Sequence, residues 1–200
     1  MADLWSVLFA VSFASGLNIY ATVLALGLLG RFEVVQLPGQ LDVVSSVPVL
    51  AGAAVMFAAE FIADKIPYID NVWDMVHSVI RPAGSAILAY SAVAEVSPEW
   101  QVLAVLIGGS VALTSHAAKA STRAAANLSP EPFSNWALSL GEDALAVFLV
   151  WLWASYPLVA LAIVIVLIAL SAVIVIKVSR LIRRLWRRTG NSRVTRGSGI

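Results

Sequence analysis

The chain has 200 residues, of which 60% are hydrophobic and 12% charged, with a mean hydropathy of +0.88. A soluble domain carries roughly one-quarter charged residues, so a water-soluble globule is excluded and an all-α integral membrane protein is expected, with room for about six spans and no separate soluble domain. The absence of cysteine excludes disulfides and thiolate chemistry, and any metal would need oxygen or imidazole ligands.

Charge-free runs mark the spans. The first expected helix covers residues 4–30, and Asp3 stands where a secretory signal would carry Lys or Arg, so this is read as a retained span. Its centre, SGLNIY, places Ser15, Gly16 and Asn18 at mid-membrane, and 27 uncharged residues exceed what a straight crossing needs. A break at Ser15 and Gly16 is expected. The alternative is a tilted helix with a small-residue packing notch.

The second helix, residues 46–64, ends in Glu60 and Asp64, one turn apart. It opens the stretch EFIADKIPYIDNVWDMVHSVIRP, with seven ionisable groups between apolar runs: Glu60, Asp64, Lys65, Asp70, Asp74, His77 and Arg81. After Pro67, the last four follow at offsets 0, 4, 7 and 11 and share one side of a helix, with Val72, Trp73, Met75, Val76, Val79 and Ile80 opposite. A short amphipathic cytoplasmic helix is expected. Its charges either sit in interfacial water or line a vestibule with Glu60 and Asp64 beyond it.

The third helix is expected at 80–95 and the fourth at 100–126. The fourth ends in a second stripe, His116, Lys119, Arg123 and Asn127, at offsets 0, 3, 7 and 11 on an alanine-rich helix suited to close packing. If the stripes adjoin, Asp64, Asp70 or Asp74 should pair with Lys119 or Arg123. Counting Glu60, Asp64, Asp70, Asp74, Glu142 and Asp143 against Lys65, Arg81, Lys119 and Arg123 leaves a surplus of two carboxylates.

The fifth helix, residues 135–155, carries Asn135, Ser139, Glu142 and Asp143 on one face at offsets 0, 4, 7 and 8. An ionised Asp at mid-span costs about 2.5–3.5 kcal/mol even on a lenient scale. Such a group must be protonated, paired, or facing water or an ion. The uncharged run from Ala144 to Ile176 is 33 residues long, too long for one crossing of a ~30 Å core. It divides at WLWASYP, where Trp151, Trp153 and Tyr156 suit an interface and Pro157 suits the first turn of a sixth helix at 157–178.

From Lys177 onward there are eight bases and no acid, while the preceding residues hold five bases against twelve acids, a balance of −7. Residues 1–178 form the expected transmembrane domain and residues 179–200 a basic cytoplasmic tail, disordered towards its end. Such a tail is a topology signal and a ligand for anionic lipid headgroups, and no nucleic-acid reader accompanies it. With the tail cytoplasmic and six spans, both termini face inward and twelve of thirteen bases are cytoplasmic, only Arg31 lying outside. Three spans per half would relate the halves as a 3+3 inverted repeat.

The motifs SGLNIY, EFIADKIPYIDNVWDMVHSVIRP, SHAAKASTRAAANLSPEPFSN and SLGED closely resemble a family of small bacterial membrane proteins known only as a domain of unknown function. The resemblance covers essentially residues 5 to 180. It implies a bacterial inner-membrane location and no activity.

Three function classes follow from the residues. A transporter or channel accounts best for polar stripes entering the membrane, with Glu142, Asp143, Asn18, Ser139 and Asn135 binding a cation or proton. Glu60, Asp64, Lys65, Asp70, Asp74, His77, Arg81, His116, Lys119 and Arg123 would then form a cytoplasmic charged vestibule. A membrane enzyme acting on a phosphorylated lipid is the alternative, its acids holding Mg²⁺ and its bases phosphate; HEXXH, P-loop and GxSxG patterns are absent. The third is a scaffold whose charges only fix helix pairing. No cofactor is expected outside the divalent cation of the enzyme reading. The bilayer is the expected partner, and a homo-oligomer is compatible with the sequence.

Overall fold

The computed structural model describes residues 2–66, 69–126 and 132–194. Among them are seven α-helices and no strand: α1 (Ala2–Leu17), α2 (Ile19–Arg31), α3 (Val47–Ala63), α4 (Ile69–Ala92), α5 (Pro98–Ala126), α6 (Pro132–Ser155) and α7 (Pro157–Val194). A single 3-10 turn, Leu41–Ser45, precedes α3.

Among the described residues three helical stretches are long and apolar enough to cross a membrane: Pro98–Ala126, Phe133–Ser155 and Pro157–Leu181. The last has a mean hydropathy of 3.4, yet only 17% of that window is buried inside the protein. An uncovered apolar surface of this extent needs lipid around it. The polar groups lie inside instead: Ser6, Ser12, Ser15, Asn18, Glu60, Arg81 and Ser85 are buried, while Val55, Val79, Ile87, Leu106 and Val166 face outward.

At the centre stands α1, which packs against α4, α5, α6 and α7. Close approach to α5 is possible because position 16 is glycine: a Cβ there would collide with Ser115 Oγ and with the Ala112 carbonyl. Ser115 Oγ donates to the Phe13 carbonyl at 2.9 Å, fixing the register of the two helices.

The first expected span is interrupted, but at Asn18 and not at Ser15 and Gly16. The helix runs through both of those residues to Leu17, and Asn18 takes an extended conformation (φ −151°, ψ 107°) as N-cap of α2. Its side-chain oxygen accepts from the Ala21 N–H at 2.9 Å, which satisfies one of the donors that a new helix start leaves open. An asparagine can do this, and neither Ser15 nor Gly16 is needed for it.

The short amphipathic helix and the third span are one element. Helix α4 continues through Pro82, which removes one rung of its hydrogen-bond ladder. It is fastened to α5 on both sides of that proline: Ser78 Oγ lies 3.1 Å from His116 Nε2, and Ser85 Oγ donates to the Gly108 carbonyl at 3.0 Å. The ionisable face is therefore inserted among α3, α5 and α1 and does not lie flat in interfacial water. Pro67 and Asn127 fall outside the described residues.

Residues 32–46 fold over the C-terminal end of α4. The Gln40 N–H donates to the Ser91 carbonyl at 2.8 Å, and Gly39 (φ +59°) brings the backbone so near that a Cβ would meet the Ser91 and Ala92 carbonyls. At the other end, α7 remains helical well past residue 178, to Val194, so part of the basic segment extends the last helix.

Candidate functional site: a buried ion network at the interruption of the first helix

Breaking a helix exposes its ends. The last carbonyls of α1 have no intrahelical donor, and the C-terminal end of a helix carries partial negative charge. Two bases answer it: Lys119 Nζ donates to the Leu17 carbonyl at 3.0 Å and Arg81 Nη1 to the Gly16 carbonyl at 3.3 Å.

Both bases also meet Glu60, from α3. Its Oε1 accepts from Arg81 Nη2 at 2.6 Å and lies 3.4 Å from Lys119 Nζ, with all three side chains fully buried. One turn on, Asp64 Oδ2 accepts from Arg123 Nη2 at 2.6 Å and lies 3.6 Å from Lys119 Nζ. Glu142, from α6, closes the group at 2.8 Å from Arg123 and 3.3 Å from Lys119. Ser139 Oγ donates to Asp64 Oδ2 at 3.3 Å. Asp64, at the end of α3, is thus the expected acid that pairs with Lys119 and Arg123, while Asp74 approaches Arg81 on its own helix at 3.5 Å. Charge pairs this deeply buried are tolerated only when both partners are present.

Asp143 stands apart from its neighbour. Its Oδ1 accepts from Asn18 Nδ2 at 2.8 Å, and among the described residues it makes no ion pair. Its Oδ2 is buried without a hydrogen-bond partner there. The residue that caps α2 therefore also holds the carboxylate, one amide serving both through its oxygen and its nitrogen.

Two histidines complete the cluster, and their neighbours fix their tautomers. A guanidinium can only donate, so His116 Nδ1, 2.7 Å from Arg81 Nη1, accepts; its Nε2–H then donates to Ser78 Oγ, whose own O–H donates to the backbone carbonyl of Asp74 at 2.9 Å. His77 is the reverse. Its Nδ1–H donates to the Trp73 carbonyl at 2.8 Å, leaving Nε2 to accept from the Tyr20 hydroxyl at 3.0 Å. The ring of Trp73 stacks on that of His77 at 4.8 Å between centroids.

The residues expected to line a vestibule are thus gathered, but as a packed interior. Glu60, Asp64, Asp70, Asp74, His77, Arg81, His116, Lys119 and Arg123 are all buried. Asp70 accepts from the Asn71 N–H at 2.7 Å, and Asn135 is half-buried near the start of α6. Lys65 is the exception. It turns back on its own helix, donating to the Phe61 carbonyl at 2.9 Å with its ammonium over the Phe61 ring. Partial loss of hydration there lowers its pKa from the usual lysine value.

Sequence spacing missed Tyr20, Ser78 and the Gly16 and Leu17 carbonyls. The first two carry no charge to draw notice. The carbonyls are legible only once Asn18 is known to end a helix.

No curated protein and no solved structure matches the chain. A family profile described as a domain of unknown function, DUF4126, matches residues 6–177. That match spans most of the sequence and takes in every charged residue of the network, and the chain belongs to this family.

Proposed function

We propose that the protein is a membrane transporter in which Asp143, with Glu142 beside it, binds and releases a cation or proton. The observation that carries this reading is the Asn18 to Asp143 contact: an interrupted helix places its cap on a buried carboxylate that makes no ion pair among the described residues. Interrupted helices with their ends turned on an ion or substrate are a recurring device of secondary transporters. Four carboxylates, Glu60, Asp64, Asp74 and Glu142, are tied to three bases, Arg81, Lys119 and Arg123. Asp143 adds to a negative balance, and this favours a cationic coupling species.

In this reading α1 and α2 together make one crossing and α3 to α7 five more, in the inner membrane of a bacterium, with both termini cytoplasmic and three crossings in each half. The Arg-rich end of α7 then lies against anionic headgroups. Cysteines introduced singly at Gln40 and Glu99 should react with an impermeant reagent from outside the cell, and one at Asn191 should not. Labelling at 191 in intact cells would overturn the topology.

The functional test uses sealed proteoliposomes, comparing the wild type with the Glu142→Gln, Asp143→Asn double variant for proton and cation flux and for phosphate release from lipid. Flux that disappears in a folded double variant supports the reading. Flux unchanged by the substitutions removes the coupling role, and Mg²⁺-dependent phosphate release without flux favours a lipid-directed enzyme.

A further inference from the structure

Asp143 also has an outward neighbour. Between α3 and α6 runs an open groove of about 620 Å³, lined by Phe57, Phe61, Phe148 and Trp151 among other apolar groups, and among the described residues Asp143 is the only carboxylate lining it. The residue is 7% exposed, and its Oδ2 has no hydrogen-bond partner among the described residues. Phe148 and Trp151 are exposed on a surface that the apolar character of these helices assigns to lipid.

Apolar walls, several aromatic faces and one desolvated negative charge are the chemistry that receives an organic cation. The chain supplies its own illustration, because the Lys65 ammonium already rests on the Phe61 ring. A hydrated inorganic ion would lose its water against these walls and find a single carboxylate in return. An anionic lipid would meet Asp143 as a like charge. A neutral acyl chain would leave the buried oxygen unanswered.

We infer that the groove between α3 and α6 is a binding site for a lipophilic organic cation, entered sideways from the bilayer, with Asp143 as counter-ion and the rings of Phe61, Phe148 and Trp151 as its walls. The inference deepens the transport reading, on which it rests for the site's purpose, by naming the substrate class.

The experiment is equilibrium binding of radiolabelled tetraphenylphosphonium to the full chain in a neutral maltoside detergent. Saturable binding near one per chain is expected. Asp143→Asn, which keeps the shape and the Asn18 contact, should weaken it by about tenfold or more, while Asp143→Glu should retain most of it. Trp151→Ala, and the milder Phe148→Leu, should each weaken it severalfold without altering any charge. Asp42→Asn, an acid in the 3-10 turn away from the groove, serves as the charge control and should change nothing. Size-exclusion elution identical to wild type certifies each variant's fold.

Absence of saturable binding by the wild type, or binding indifferent to Asp143→Asn, overturns the inference. So does a wild-type dimer that Trp151→Ala converts to a monomer without any cation binding, which would make the groove an interface between copies. The two readings separate cleanly: cation binding at the groove without flux in proteoliposomes refutes transport and leaves the site standing. Flux that depends on Asp143 without cation binding does the reverse.

Discussion

The side chain of Asn18 joins α2 to a residue 125 positions further along the chain: its oxygen caps α2 at Ala21 while its nitrogen donates to Asp143 on α6. Replacing it with Ala removes both bonds. A lost cap costs about 1 kcal/mol, and leaving a buried acceptor unanswered costs a further 1–3 kcal/mol or so. Asn18→Ala should therefore lower thermal stability in detergent by more than a cap alone accounts for. Adding Asp143→Asn should recover part of the second loss and none of the first. Equal melting temperatures for Asn18→Ala with and without Asp143→Asn would show that the contact is energetically idle.

The Asp64 to Arg123 pair is expected to behave as a unit. Removing either partner strands a buried charge, at a cost of about 3–5 kcal/mol. Asp64→Asn and Arg123→Gln should each destabilise strongly, and the double variant should lose clearly less than their sum. Glu142 and Lys119 share the cluster, so the rescue is expected to be partial. Additive losses would mean that the two side chains do not interact across the interface.

Packing at Gly16 gives a sharper contrast. A methyl group there meets backbone and Ser115 on α5, and backbone cannot step aside. Gly16→Ala should cost about 1–3 kcal/mol through overpacking. Gly52→Ala and Gly141→Ala, where a Cβ finds open space, should be neutral or stabilise by up to about 1 kcal/mol. A melting series on the three variants checks the ordering.

The histidine assignments can be read directly. Nitrogen chemical shifts of ¹⁵N-labelled protein should report His116 as the Nε2–H form and His77 as the Nδ1–H form, both neutral. Conversion of Arg81 to Gln should release His116 from its acceptor role and make its tautomers exchange. A doubly protonated His116 in the wild type would contradict its contact with the guanidinium.

Much of this site was legible in the sequence because charge in an apolar chain is costly. Helical offsets placed Asp70, Asp74, His77 and Arg81 on one face and His116, Lys119 and Arg123 on another, and the faces do meet, at Arg81 and His116, while Lys119 and Arg123 take Asp64 at the end of α3 as their acid. The same offsets could not say whether the first face stayed in water, because an amphipathic stripe looks alike at an interface and inside a bundle. The deciding fact was the continuity of α4 through Pro82, held by hydroxyl contacts to α5 that no periodicity encodes. Lys65 went astray for a related reason: its neighbour Phe61 offers both a carbonyl and a ring face within reach of a flexible stem. The position of the helix break was missed by two residues, since small residues mark close packing as readily as they mark an end. At Gly16 it is packing that they mark.

The outer helix α7 follows different rules from the rest of the chain. With so little of its span covered by protein, its outward positions are constrained by solvent type alone. Leu, Ile, Val and Phe should exchange there almost silently, and a single Asp or Arg near the middle should be met by misinsertion at the translocon and not by a faulty fold. The buried Ala160, Val164 and Ser171, with Leu167 and Ile168 packed against the core, are where α7 has neighbours to satisfy. A saturation library over 158–176 should separate into two populations: positions that read only hydrophobicity, and a narrow inward strip that also reads size.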